Sequence, residues 1–274
     1  MSELFSCVRK QELLGSVVQI AQKAGEAILE VYAGNFEVET KEDASPITIA
    51  DKKAHEIIVA GLMGIQPDIP ILSEEGVQLP FEVRKNWRTY WLIDPLDGTK
   101  EFVNRNGEFT VNIALIESGY PVMGVVGYPI ANKIYCAAEG DGAYELDLVA
   151  ESKSQISVRP SNSYEKIKVV ASKSHMDERL QIALDGREDI ETVAVGSSLK
   201  FCLLAQGKAD FYPRFGPTSE WDIAAAQCVL EVAGGKVMTL DGERIRFNQK
   251  ESLKNPDFVA VADPEYDWEW IKGI

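Results

Sequence analysis

Asp94, Asp97 and Thr99 share the short stretch WLIDPLDGTKEF, residues 91–102. An apolar run stops at Asp94, a second carboxylate follows at Asp97, and Gly98 and Thr99 lead into charged sequence. Other acids repeat the pattern: Glu74 and Glu75 close IPILSEE, and Asp222 follows Trp221 at the start of a helical stretch. One aspartate after a strand is ordinarily a cap or turn residue. If these ends converge, however, Glu74, Asp94, Asp97 and Asp222 meet in one cleft. Close carboxylates raise one another's pKa and cannot all stay ionised, and a divalent cation removes that conflict. All-oxygen donors select a hard ion, Mg²⁺ over Zn²⁺. The chain has only His55 and His175 and no cysteine cluster, which disfavours zinc.

Two hard cations about 4 Å apart suit the in-line attack of water on phosphorus. Thr99 would touch the attacking water, and a nearby carboxylate would relay its proton. Gly98 lets the backbone approach a phosphate closely.

The elements that must hold these groups can be read from periodicity. In LLGSVVQIAQKAGEAILEVYAGN, Leu14, Val17, Val18, Ala21, Ala24, Ile28 and Tyr32 form one helical stripe, and Gly34 suits its end. A second helix is expected over 49–63, with Ala54, Ile57, Ile58 and Leu62 inward. IPILSEE and YWLID read as short buried strands ending in acid. The stretch 109–146 shows strand-length runs separated by Ser-Gly, Pro and Gly, an antiparallel meander. Polar sequence around Pro160 places a boundary near 150–160. Beyond it strands (KIKVVAS, ETVAVGS, ADFYP, GKVMTL, DFVAVAD) alternate with helices (DERLQIAL, SLKFCLLAQG, WDIAAAQCVLEVAGG). The expected fold is mixed α/β, one unit of two lobes, 1–155 and 156–274, with ligands at strand ends and the lobe interface.

Composition limits the partners. The chain has 274 residues, 45% hydrophobic and 26% charged, enough for a sizeable core without staples. A formal net charge of −15 repels nucleic acid and anionic membrane, so an anionic substrate needs local cations. No run approaches a membrane span, and the N-terminal residues mix acids and bases unlike a signal peptide. Cys7, Cys136, Cys202 and Cys228 are far apart and read as reduced core thiols of a cytoplasmic protein.

DPLDGTKEF, ILSEEG, SPITIAD and WDIAAAQCVLEVAGG resemble the motifs of the inositol monophosphatase superfamily, lithium-sensitive Mg²⁺-dependent phosphatases, from the first helix to about Ala262. The resemblance implies a layered α-β-α-β-α sandwich. DGTKEF (where inositol monophosphatases typically have DGTTNF), NGEFTVNIALI, GSSLKFCL and YPRFGPT resemble the branch that acts on 3′(2′),5′-bisphosphate nucleotides in sulfate assimilation. It implies removal of the 3′-phosphate of 3′-phosphoadenosine 5′-phosphate to give AMP, with the 5′-phosphosulfate as a second candidate substrate. By resemblance, Glu74, Asp94, Asp97, Asp222 and the Leu96 carbonyl hold two or three Mg²⁺ ions. Asp51, closing SPITIAD, pairs with Thr99 to activate water. The 97–99 backbone holds phosphate, and Glu74, Leu96, Asp97, Gly98, Thr99 and Asp222 border the substrate. Ser172, Ser174, His175, Gly196 and Lys200 match positions that contact the nucleotide, with Lys200 a point charge for the second phosphate. A monomer or homodimer, and peripheral contact at an inner membrane face, are also implied.

Plainer readings stand beside these. His55 sits mid-helix and is read as structural, His175 fits a surface loop, and Lys200 fits a solvated helix face. Trp221 packs the lobes, and Trp268, Trp270 and Ile271 pack the tail. Rival functions are an inositol phosphate or sugar bisphosphate phosphatase, a haloacid-dehalogenase-type phosphatase with Asp94 as nucleophile, and a non-catalytic sensor. The spacing D-x-x-D-G-T, with Pro95 inside it, departs from the D-x-D-x-T of the second. A sensor has no need of Thr99 and Asp51 beside a water.

Overall fold

The first half of the chain sets two helices on a sheet whose central strands are buried on both faces. In the computed structural model, which describes residues 7–40, 46–163, 165–171 and 178–268, it runs α1 (Cys7–Ala33), β1 (Val38–Thr40), β2 (Pro46–Thr48), α2 (Ile49–Ile65), β3 (Ile71–Ser73), α3 (Phe81–Arg84), β4 (Thr89–Asp97), α4 (Thr99–Val103), β5 (Thr110–Glu117), β6 (Tyr120–Tyr128), β7 (Lys133–Ala138), β8 (Gly142–Asp147) and β9 (Ser152–Gln155). The second half runs β10 (Ile167–Ala171), α5 (Glu178–Leu184), β11 (Ile190–Ala194), α6 (Leu199–Ala205), β12 (Phe211–Arg214), α7 (Glu220–Val232), β13 (Lys236–Thr239) and β14 (Phe258–Val261).

Strands β3 to β9 form a seven-stranded sheet in chain order, β3 parallel to β4 and every later pair antiparallel, as the meander predicts. A five-stranded sheet has the order β11-β10-β12-β14-β13. Successive side chains of a strand point to opposite faces, and β4 shows where each face goes. Trp91 and Ile93 join the core under α1 and α2, with Val17, Ala24, Ile28, Ile58 and Leu62. Tyr90 and Leu92 join the core under α6 and α7, with Phe201, Leu204, Ala225 and Val229. The small sheet divides the same way: Tyr212, Phe258 and Ala260 face α6 and α7, while Phe211, Val259 and Val261 face Leu180 of α5. The layers are therefore α1/α2, large sheet, α6/α7, small sheet, α5, the sandwich expected above.

The middle layer can lie tight on the large sheet because one strand position has no side chain. A Cβ on Gly124 of β6 would sit 2.2 Å from the Ala225 carbonyl of α7. Here glycine meets the small run Ala224–Ala226 at backbone distance. Cys136, Cys202 and Cys228 are buried free thiols. Trp268 stacks on Phe211 at 5.1 Å and donates its Nε1–H to the Asp263 carbonyl, so this part of the tail packs as expected. Trp270 and Ile271 lie outside the described residues. Among the described residues no helix is long and apolar enough to cross a membrane.

Candidate active site

Pairing β3 parallel to β4 brings Ser73 opposite Ile93. The Glu74 N–H then donates to the Ile93 carbonyl at 3.1 Å, so Glu74 leaves β3 beside Asp94. β4 pairs with β5 up to Asp94↔Asn112, loses register, and resumes at Asp97↔Thr110. The extra residue is a bulge, the usual device for re-aiming a side chain. Pro95 suits it, having no N–H to offer the ladder. The Asp94 carboxylate closes the bulge by accepting the Leu96 N–H at 3.1 Å. Gly98 follows with φ +90°, and a Cβ there would press to 3.0 Å from the Glu108 carbonyl. The turn requires glycine, and it delivers Thr99 to the start of α4.

Two helix starts complete the site. Asp51 is the third residue of α2 in a capping box with Thr48. Its Oδ2 accepts the Thr48 N–H at 2.8 Å and the Thr48 hydroxyl at 2.7 Å, and its Oδ1 accepts the Thr99 hydroxyl at 3.2 Å. The Leu96 carbonyl lies 3.3 Å from the same Thr99 oxygen. Asp222 occupies the third position of α7 and accepts the Ser219 N–H at 2.8 Å.

The acids act on one another through space. Burial pushes the Asp94 carboxyl well above its ordinary range, and Glu74, Asp97 and Asp222 push it further. Burial likewise raises Asp97, opposed by the Ser197 hydroxyl, Lys200 and the Ser198 N–H. Asp222 is pushed up to about 8, by burial first and then by Asp97. Asp51 is raised by burial against its bonds to Thr48. Among the described residues no group of three or more His, Cys, Asp or Glu side chains is arranged so that it could hold a metal ion as it stands. The acids converge as mutually repelling groups. That donor set, all oxygen and over-supplied with negative charge, fits a hard divalent cation and nothing softer.

Asp97, Gly98, Lys200, Tyr212, Arg214 and Asp222 border a cleft of about 460 Å³. Lys200 is buried rather than solvated: its Nζ donates to the Ser197 carbonyl at 3.0 Å and lies 5.6 Å from the Tyr212 ring centre. Burial lowers its pKa, and Asp97 opposes that shift. Gly196 donates its N–H to Glu108 at 2.9 Å. Ser172, Ser174 and His175 lie outside the described residues. His55 is structural, as read: its Nδ1 bonds the Ser73 hydroxyl at 2.9 Å. Trp221 is half-buried against the core between the sheets.

Sequence reasoning missed Arg214. Its guanidinium reaches the Pro217 carbonyl at 3.2 Å, while its buried Nε meets no hydrogen-bond partner among the described residues. The signal was an arginine at the polar end of an apolar strand in YPRFGPT. It also missed the buried Thr110, Asn112 and Ser198 and the half-buried Ser197, polar groups around Asp97.

Known proteins resemble this chain along nearly all of their length. The 3′(2′),5′-bisphosphate nucleotidase CysQ of Escherichia coli (strain K12) is 48% identical over 248 residues, 90% of this chain and 98% of that protein. The Haemophilus influenzae protein of that name is 36% identical over 262 residues, 95% of this chain and 97% of its own. The crystal structure of CysQ from Bacteroides thetaiotaomicron, a bacterial member of the inositol monophosphatase family, superposes with a TM-score of 0.81 at 40% identity, covering 93% of this chain and 98% of that one. The pattern of the inositol monophosphatase family matches residues 9–271, and the chain belongs to that family.

Proposed function

We propose that this chain is a Mg²⁺-dependent 3′(2′),5′-bisphosphate nucleotidase that hydrolyses the 3′-phosphate of 3′-phosphoadenosine 5′-phosphate to give AMP and phosphate. The observation that carries the reading is the convergence of Glu74, Asp97 and Asp222 on Asp94: the charges of all three push the buried Asp94 carboxyl upward. The nucleotide substrate is supported by the names of relatives at up to 48% identity.

Glu74, Asp94, Asp97, Asp222 and the Leu96 carbonyl would hold two Mg²⁺ ions, with a third as the open alternative. Bound there, Mg²⁺ would neutralise the acids and would supply Lewis-acid chemistry to the attacking water and the leaving oxygen. The remaining work belongs to the chain. Thr99 donates its one hydroxyl proton toward Asp51, so its oxygen is left to accept a proton from water. As water attacks phosphorus, its proton passes to Thr99 and the Thr99 proton to Asp51. Asp51 is held in place by two donors from Thr48, and its raised pKa suits it to take that proton. The P–O bond to the ribose breaks with its electron pair going to the ribose oxygen, which takes a proton from solvent while Asp51 returns to solvent the one it received. Gly98 lets the 97–99 backbone close on the phosphate. Lys200 and Arg214, from the other side of the cleft, meet the second phosphate. The Arg214 Nε, without a partner among the described residues, is a donor that stands to gain from it.

The test is phosphate release under a Mg²⁺ titration with 3′-phosphoadenosine 5′-phosphate, AMP and inositol 1-phosphate. The bisphosphate should be cleaved well ahead of the other two, and no release should occur without Mg²⁺. Equal rates on inositol 1-phosphate would reject the nucleotide assignment, and metal-independent release would reject the mechanism.

A further inference from the structure

We propose that Thr110 is a positioning residue: its buried hydroxyl, gripped by Ser197 and Ser198, decides which oxygen of Asp97 is presented to the cation. This rests on the reading above that Asp97 holds Mg²⁺.

Asp97 Oδ2 is crowded with donors. It accepts the Ser197 hydroxyl at 2.6 Å and the Ser198 N–H at 2.6 Å, and the Thr110 oxygen lies 3.4 Å from it. Its lone pairs are committed, which leaves Oδ1 for a metal. The donors come from a turn about a hundred residues away in sequence. Ser197 adopts φ +54°, a conformation that non-glycine residues enter only when their surroundings hold them there.

Counting protons shows what holds it. Ser197 spends its one hydroxyl proton on Asp97 at 2.6 Å. Thr110 has one proton of its own and gives it to the Ser197 oxygen at 2.5 Å, while the Ser198 hydroxyl is shared between the Thr110 oxygen at 2.8 Å and the Asn112 carbonyl oxygen at 2.9 Å. Its hydroxyl therefore fixes the rotor of Ser197, and Ser197 fixes Asp97. Thr110, Asn112 and Ser198 are all buried, so water cannot replace a lost partner. Thr110 sits opposite Asp97 across the β4 bulge, where the strand pairing resumes. The latch thus ties the re-aimed ligand to the turn that leads into α6.

Thr110→Val removes the hydroxyl and keeps the shape. Calorimetric titration of Mg²⁺ into substrate-free protein should show a dissociation constant raised by at least about tenfold, the usual scale for a residue supporting a ligand. Thr110→Ser should restore wild-type affinity. Ser198→Ala, which keeps the backbone N–H on Asp97, should fall between them and serves if Thr110→Val does not fold. Wild-type affinity in Thr110→Val, or a lowered melting midpoint with no change in affinity, overturns the proposal. Asp97→Asn separates the two readings: if it loses Mg²⁺ while Thr110→Val binds normally, only the positioning role falls. If Asp97→Asn also binds as wild type, the metal assignment falls and the positioning role with it.

Discussion

The helices α2 and α7 start with the same local device. Thr48 or Ser219 caps the helix, and an aspartate three residues on, Asp51 or Asp222, accepts the cap's backbone N–H at 2.8 Å in both. The surroundings then separate them. Asp51 receives hydroxyl bonds from Thr48 and Thr99, and among the charges acting on it Glu74 is a minor one. Asp222 faces Asp97 and Glu74, and the hydroxyl of its cap is engaged by Lys254 at 3.0 Å. One aspartate is tied by donors and fit to take a proton. The other is crowded by like charge and fit to hold a cation. A capping box fixes where a carboxylate sits; what faces its free side fixes its chemistry.

Replacing each aspartate by asparagine tests that division. Asp222→Asn keeps an acceptor for the cap but removes charge from the metal-holding set. Its kcat/KM should fall by about a thousandfold or more, with Mg²⁺ affinity falling in parallel. Asp51→Asn should lower kcat by about 10²–10⁴-fold while calorimetry finds Mg²⁺ bound as in the wild type. If both variants lose the metal equally, the two boxes do not differ as argued.

How these residues could be read in advance follows the same logic. The boxes TIAD and SEWD are legible because their parts lie three residues apart, and so is DPLDGT, whose bulge and turn are local. Helices with one buried stripe, such as α1, announced themselves by period. β4 did not announce its direction. Tyr90, Trp91, Leu92 and Ile93 are all buried, so no alternation told which face Asp94 would take. Lys200 was harder still. Within SLKFCLLAQG a lysine suggests water, and only the packing of the small sheet over α6 buries it. The bonds from Ser197 and Ser198 to Asp97 span about a hundred residues, and neither serine differs by type from a turn residue.

Titration sharpens the contrast without substrate. The folded-state pKa of Asp222 lies at about 8 against an ordinary 3.8, and burial raises Asp94 and Asp97 as well. Metal-free folded protein therefore retains protons that the unfolded chain gives up across that interval. The state binding more protons is favoured at low pH, so stability falls as pH climbs from about 4 to about 8. Binding Mg²⁺ requires the ionised acids, so the rise in melting midpoint on adding it should grow over the same range. Asp222→Asn should flatten the metal-free slope more than Asp51→Asn does. A midpoint that rises with pH in the absence of metal would contradict the charge conflict on which the site is built.

The smallest effect lies in the caps themselves. Thr48→Ala removes a hydroxyl that accepts from the Ala50 N–H at 3.1 Å and donates to Asp51. Losing such a cap costs about 1 kcal/mol, which for a chain of this size is about 2 °C in melting midpoint. Thr48→Ser should recover it. Ser219→Ala should cost a similar amount of stability, but through a different partner, because its hydroxyl is the one engaged by Lys254. The informative readout is therefore turnover. With Thr48→Ala, Asp51 loses one of its two hydroxyl donors and is freer to turn from Thr99, so kcat should drop along with stability while Mg²⁺ affinity holds. With Ser219→Ala, Asp222 keeps its bond to the Ser219 backbone N–H, so kcat should follow the wild type. Equal kcat in the two alanine variants would mean that Thr48 serves the helix alone, and that Asp51 is aimed at Thr99 by α2 without its help.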